Sequence, residues 1–356
     1  MGETGLFGLP VEALVAWCRK RGLPAFRGRQ LATWFYARRT VDYGTMTDLP
    51  EPLRDRLTQE APVYLPRLAS ERQSRDGTRK YLVELADGQA VEAVWMPMRP
   101  AEGEKAPKIT ACISTQVGCA LGCTFCATAT LGLKRNLTAG EIVAQVLLLQ
   151  NKMEPERLTN LVLMGMGEPL HNFDNVIQAL QAITGEPGMK LGPKRVTLST
   201  VGLVPEIYRL AETGLGVRLA VSLNATTDGA RNMSMPVNRR YPLARLMEAA
   251  RHYATATEDR VTFEYVVIEG QNDTREDALR LAGLVRGIPC KINLIPYNLN
   301  PQFDFRRPQP VRLTEFRDVL YPRCPAVTIR YSKGTDIGAA CGQLVAARKT
   351  FGPKSK

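Results

Sequence analysis

The stretch Gly118-Cys119-Ala120-Leu121-Gly122-Cys123-Thr124-Phe125-Cys126 decides how this chain is read. It sets three cysteines at C-x3-C-x2-C in a loop that also holds two glycines. Thiolates so spaced can hold three corners of a [4Fe–4S] cluster and leave the fourth iron open. An open iron can chelate the amino and carboxylate groups of S-adenosylmethionine (SAM), so that an electron from the cluster cleaves the sulfonium. The competing reading is a zinc site, which asks for a fourth Cys or His at regular spacing. The chain has only two histidines, His171 and His252, and no second C-x2-C. A disulfide framework fits less well, since a chain of 356 residues can bury a core without staples.

Around this loop the composition is that of a globular protein, with 44% apolar residues. No apolar run approaches the ~18 residues of a membrane span, and the first residues do not read as a secretory signal. Eight cysteines in such a chain point to a reducing cytoplasm. The net charge of +12 favours a polyanionic partner, nucleic acid before a neutral small substrate. Basic residues recur at Arg19-Lys20-Arg21, Arg27, Arg29, Arg38-Arg39, Arg54 and Arg56, then at Lys134-Arg135, Lys194-Arg195, Arg239-Arg240 and Arg306-Arg307.

Upstream, Leu14, Val15, Trp17, Cys18, Leu31, Trp34 and Phe35 fall at helical spacing around Gly22-Leu23-Pro24, so residues 1–60 read as a small helical unit. Two β-rich runs, Lys80–Leu85 and Val91–Met96, flank Asp87-Gly88 and predict a hairpin, followed by a polar linker from Pro97 to Pro107. From residue 109 strands alternate with helices. Apolar runs at Ile109–Ser114, Asn160–Met164, Arg195–Ser199, Arg218–Leu223, Val261–Ile268 and Lys291–Ile295 predict buried parallel strands, with a further strand at Val327–Tyr331. Amphipathic helices are predicted near 139–152, 173–184, 204–213, 243–257 and 274–287, the first opened by a capping box from Thr138 to Glu141. This is an α/β chain, either a partial barrel or a doubly wound sheet.

Ligands of such sheets sit beyond the carboxyl ends of the strands. The three cysteines fall after the first strand, and four other polar turns fall at equivalent places. They are Gly165-Met-Gly167-Glu168-Pro169, Ser199-Thr-Val-Gly202, Ser222-Leu223-Asn224 and Pro296-Tyr-Asn298. Glu168 offers a carboxylate to an ammonium group, while Ser199, Ser222, Asn224 and Asn298 suit a carboxylate, ribose or adenine. Each alone reads equally well as turn capping. Of the other cysteines, Cys112 lies in the first strand and Cys341 in a Gly/Ala-rich segment open to a ligand. Cys18, Cys290 and Cys324 read as small buried hydrophobes.

With these elements in hand, the chain resembles the RlmN/Cfr family of radical SAM RNA-adenine methyltransferases, on the RlmN side. The resemblance is carried by Phe26-Arg-Gly-Arg-Gln30 with Trp34, Val91-Glu92-Ala-Val-Trp-Met-Pro97 and Cys112 through Thr128. It continues through Gly165–Leu170, Ser222–Asp228, Met235–Asn238, Asn293–Asn298 and Asp336–Gln343. Asn224 departs from the histidine of several relatives. The resemblance implies a partial (βα)6 radical-SAM barrel over residues 108–345, with an RNA-binding helical accessory domain at 1–60, a β-hairpin extension at 61–107 and a basic tail at 346–356.

It further implies a [4Fe–4S] cluster on Cys119, Cys123 and Cys126, and SAM held by Gly167, Glu168, Ser199, Ser222, Leu223, Asn224 and Asn298. Two SAM would be used per turnover, one as methyl donor and one as radical source. In the implied reaction Cys341 is methylated first and the S-methyl group is then made a carbon radical that adds to adenine C2. Glu92 removes the ring proton, and Cys112 resolves the protein–RNA crosslink by a disulfide with Cys341. The expected substrates are 23S rRNA and tRNA, and the expected reductant is flavodoxin or ferredoxin. A cytoplasmic monomer is expected, with the target base splayed from its stack. The alternatives are C8 methylation of Cfr type and a zinc-stabilised RNA-binding protein. A methylthiotransferase would need a second cysteine trio that the sequence lacks.

Overall fold

The computed structural model describes residues 5–98, 108–324 and 326–346. The N-terminal region is helical, as the apolar spacing predicts: α1 (Val11–Lys20), α2 (Ala25–Ala32) and α3 (Glu51–Glu60). Each is preceded by a proline, whose fixed φ and absent N–H suit a helix start. Leu14, Cys18, Leu31, Trp34 and Phe35 are buried between them. Trp17 is only half-buried, and the Arg21 guanidinium lies 4.1 Å over its ring.

Strands β1 (Arg67–Gln73), β2 (Arg79–Glu84) and β3 (Ala90–Met98) run antiparallel, with the expected turn at Asp87-Gly88. There Gly88 takes φ +78° and Gln89 N–H donates to Asp87 Oδ1 at 3.0 Å. β1 escaped the sequence because it is exposed along almost its whole length and shows no apolar alternation. β3 pairs antiparallel with β4 (Lys108–Cys112), Val94 facing Cys112 and Pro97 facing Ile109. The expected linker therefore does not begin at Pro97, which still pairs in the sheet. Residues 99–107 of that linker and 347–356 of the expected tail lie outside the described residues.

Beyond β4 comes a small hairpin of β5 (Gln116–Gly118) and β6 (Leu133–Asn136), then α4 (Ala139–Lys152). The Thr138–Glu141 capping box is formed, Glu141 N–H donating to Thr138 Oγ1 at 3.2 Å and Thr138 N–H to Glu141 Oε2 at 2.9 Å. The chain then alternates β7 (Asn160–Leu163), α5 (Phe173–Thr184), β8 (Val196–Thr200), α6 (Val204–Glu212) and β9 (Arg218–Ser222). It continues with α7 (Asp228–Ser234), α8 (Leu243–Thr257), β10 (Val261–Val267), α9 (Arg275–Leu284), β11 (Cys290–Pro296), α10 (Pro310–Leu320) and β12 (Val327–Ile329).

One sheet runs in the order β1-β2-β3-β4-β7-β8-β9-β10-β11-β12, parallel from β4 onward. A doubly wound sheet reverses its strand order partway. This one never does, so the fold is the partial barrel. Its strands are held by near-complete burial of Leu161, Val196, Leu198, Leu219, Val221, Phe263, Tyr265, Ile292 and Leu294. At about 25 cal/mol per Å² of apolar surface, such side chains dominate the stability of the sheet. Among the described residues no helix is long and apolar enough to cross a membrane.

Candidate active site

The cysteine loop is clamped at three points. Gly118 has φ +78°, and a Cβ there would lie 1.8 Å from the Gly132 carbonyl oxygen, so only glycine lets β5 and β6 close behind the cysteines. Cys119 N–H donates to Gly132 O at 3.1 Å, Thr124 N–H to Ser234 O at 3.0 Å, and Ala127 N–H to Gly342 O at 2.8 Å. Burial pushes the Cys119 thiol up to about 12 and Cys123 well above the ordinary thiol range. These thiols would be protonated at neutral pH, and metal binding there would release those protons. Among the described residues no three His, Cys, Asp or Glu side chains are arranged to grip a single ion.

Beside the loop, a cavity of about 160 Å³ opens at the strand ends. Cys123 and Cys126 line it together with Gly167, Glu168, Ser199, Ser222, Asn224, Asn298 and Cys341. Gly167 has φ +100° and passes so close to Gln116 that a Cβ would stand 2.5 Å from that side chain. Gln116 Oε1 in turn accepts the Glu168 N–H at 2.8 Å, pinning this turn to β5. Glu168 is buried, with Oε1 accepting from Leu170 N–H at 3.0 Å and Oε2 from Val201 N–H at 2.8 Å. Burial outweighs these bonds and pushes its carboxyl up to about 7.

The remaining predicted residues divide. Asn224 adopts φ +57°, a conformation asparagine tolerates, and its Oδ1 is already taken by Val266 N–H at 2.9 Å. Asn298 holds the Cys341 carbonyl through Nδ2 at 3.2 Å. Leu223 is fully buried and does not line the cavity; its N–H continues the ladder to Glu264 O at 2.9 Å. Cys119 also stands off the cavity wall. Two further lining groups, Glu264 Oε2 and the hydroxyl of Tyr297 in the Pro296–Asn298 turn, are buried without a hydrogen-bond partner. A cavity with orphaned polar atoms and a carboxylate at one end fits a zwitterionic, hydroxyl-bearing ligand such as SAM.

Cys341 also lines a second, smaller cleft with Cys112, Met164 and Arg330. Burial pushes the Cys112 thiol up to about 12, with charge on Cys341 acting in the same direction. Burial likewise raises Cys341, against which the Arg330 guanidinium pulls downward. Glu92 is buried, its Oε1 lies 2.9 Å from Lys80 Nζ, and its Oε2 accepts Val345 N–H at 2.9 Å. It borders a third cavity, of about 1230 Å³, with Lys80, Leu299, Phe303, Phe305 and Gly338, and does not reach the first. Lys80 also donates to Gly338 O at 3.0 Å, which ties the hairpin to the segment bearing Cys341. Lys80, Arg330 and Glu264 carry no sequence signal, because single residues in strands and turns leave no spacing to recognise.

A parallel partial barrel with a thiolate loop at the mouth of its first strand is the architecture of a radical SAM enzyme. Residues 113–282 match the Radical SAM superfamily, and residues 4–63 match the ribosomal RNA large subunit methyltransferase N-terminal domain. A radical SAM methyltransferase from Sphaerobacter thermophilus superposes with a TM-score of 0.89 at 44% identity, covering 97% of this chain and all of that one. Proteins named dual-specificity RNA methyltransferase RlmN are similar throughout. That of Anaeromyxobacter dehalogenans is 47% identical, over 96% of this chain and 91% of its own length. That of Pelobacter propionicus is 46% identical, over 96% of both chains. The chain belongs to the RlmN family of radical SAM RNA methyltransferases, a membership that implies a [4Fe–4S] cluster and SAM.

Proposed function

We propose that this enzyme methylates C2 of an adenosine in the peptidyl-transferase centre of 23S rRNA and C2 of the adenosine 3′ of the anticodon in tRNAs. Two RNA substrates are supported by the dual specificity in the relatives' name. The observation that carries the chemistry is Cys341 lining both the cavity with Cys123 and Cys126 and the cleft with Cys112. Cys119, Cys123 and Cys126 would hold the cluster, and Glu168 would hold the SAM amino group. When bound, these groups supply a transferable methyl and a carbon-centred radical, with two SAM used per turnover.

The chain's own residues do the rest. An adenine C2 is too poor a nucleophile to take a sulfonium methyl, whereas the Cys341 thiolate is able to. Cys341 thus carries the methyl to the base and is transiently joined to it. Glu92, 2.9 Å from Lys80 Nζ, takes the ring proton. Cys112 attacks the Cys341 sulfur, closing a disulfide that frees the product and must be reduced before the next round. The helical region 1–60 would meet RNA phosphates with its arginines, serving as an accessory to a 61–107 extension and a 108–345 core. A cytoplasmic monomer reduced by flavodoxin or ferredoxin completes the reading. The test is mass mapping of 23S rRNA and tRNA from cells with and without the gene. Loss of a methyl from adenosine C2 is expected; loss from C8, or no loss, would overturn the assignment.

A further inference from the structure

Arg231, in the middle of α7, is wholly buried, yet its guanidinium donates only to neutral acceptors. Nε reaches the Leu223 carbonyl at 3.0 Å and Nη1 the Asn238 Oδ1 at 3.1 Å. Nη2 reaches the carbonyls of Val201 at 2.6 Å and Ser222 at 3.2 Å. Among the described residues no carboxylate pairs with it. Asp228, one turn earlier, turns its Oδ1 to Asn238 Nδ2 and Leu243 N–H. A buried cation with no carboxylate hydrogen-bonded to it is unfavourable, and burial pulls this guanidinium down to about 10, opposed by charge on Cys123 and then on Asp228. Arg231 in turn pulls the Cys123 thiol downward.

The same helix is joined to the cluster loop and to the SAM cavity. Its last carbonyl, on Ser234, receives Thr124 N–H between Cys123 and Cys126 at 3.0 Å. Val201, whose carbonyl Arg231 grips, gives its N–H to Glu168 Oε2 at 2.8 Å. We infer that Arg231 is a positioning residue whose buried charge is the counter-ion of the cluster, and which fixes Glu168 for the SAM amino group through Val201. This rests on the cluster reading above. A cluster on three thiolates gains negative charge on reduction, and its potential follows the net charge of its surroundings. The missing carboxylate is thus accounted for by the group the loop is built to hold.

The test compares wild type, Arg231→Lys and Arg231→Gln after anaerobic reconstitution with iron and sulfide. It reads iron content, the midpoint potential followed by paramagnetic resonance, and equilibrium SAM binding. Lysine keeps the charge but lacks the fork. Arg231→Lys should hold a near-wild-type midpoint and bind SAM about tenfold more weakly. Arg231→Gln should lower the reduction equilibrium at least tenfold, about 59 mV for one electron. A wild-type midpoint in iron-loaded Arg231→Gln overturns the counter-ion role, and wild-type SAM affinity in Arg231→Lys overturns the positioning role. Should the glutamine variant not load, iron uptake is itself the readout: loading of Arg231→Lys to the wild-type level while Arg231→Gln stays empty supports the counter-ion role, and equal failure of both refutes it. Wild type taking up no four-iron cluster would sink the site reading instead.

Discussion

SAM affinity should depend steeply on pH through Glu168. Its carboxyl is held up to about 7 chiefly by burial, while the SAM amino group, whose N–H bonds must meet an acceptor, requires the carboxylate. The apparent dissociation constant then scales as one plus the ratio of proton concentration to Ka, so it should be about tenfold larger at about pH 6 than at about pH 8. That difference is about 1.4 kcal/mol. The sign for stability runs the other way. A carboxyl whose folded pKa is raised stabilises the ligand-free fold below its unfolded value, and loses that contribution as pH rises through about 7. A shift from 4.5 to about 7 corresponds to roughly 3 kcal/mol of that contribution. Equilibrium dialysis of SAM against cluster-loaded protein, with absorbance checking the cluster at each pH, measures the first effect, and melting of ligand-free protein the second. Glu168→Gln should bind weakly with no pH dependence. A wild-type affinity flat between about pH 6 and 8 would show that Glu168 does not meet the SAM amino group.

Three further perturbations test separate parts of the site. Cys112→Ala should trap RNA covalently on Cys341, visible as a nuclease-sensitive shift on denaturing gels; normal release of methylated RNA would remove Cys112 from the resolving role. Lys80→Met leaves Glu92 buried without its cation, which should cost about 3 kcal/mol and lower the melting temperature. Adding Glu92→Leu should recover part of that loss, and an unchanged melting temperature in the single variant would contradict the pairing. Gly118→Ala forces a Cβ into the Gly132 carbonyl and should cut iron uptake severely, whereas Gly132→Ala meets nothing within 4 Å and should cost only the strain of its φ of +61°. Equal iron content in the two would argue against the clamp.

Much of this architecture could be read from local pattern. The parallel strands announced themselves as apolar runs because both faces are covered, and the α4 start because Thr138 and Glu141 cap reciprocally. The strand order was not legible: monotone and reversed windings share the same alternation, and only pairing across the sheet separates them. β1 stayed hidden because a solvent-exposed edge strand has no apolar period, and α7 because it is short. At the site, motif residues with fixed spacing were found, and most of them meet at one cavity. Arg231, Lys80 and Glu264 were not found, because what distinguishes them is burial beside a particular neighbour. Glu92 carries a role in the sequence only through the family resemblance, and its enclosure by Lys80 and Val345 leaves no local pattern to recognise.

The segment carrying Cys341 is fastened on both flanks. Gly334 N–H holds Asp76 Oδ2, Gly338 O holds Lys80, Gly342 O holds Ala127, and Leu344 O holds Thr128 Oγ1. A sulfur moored at so many points is a stationary post rather than a swinging arm. Reactants must come to it in succession, so on the proposed chemistry the spent first donor has to vacate before the second can dock. The enzyme should accordingly show competitive inhibition by its own demethylated by-product.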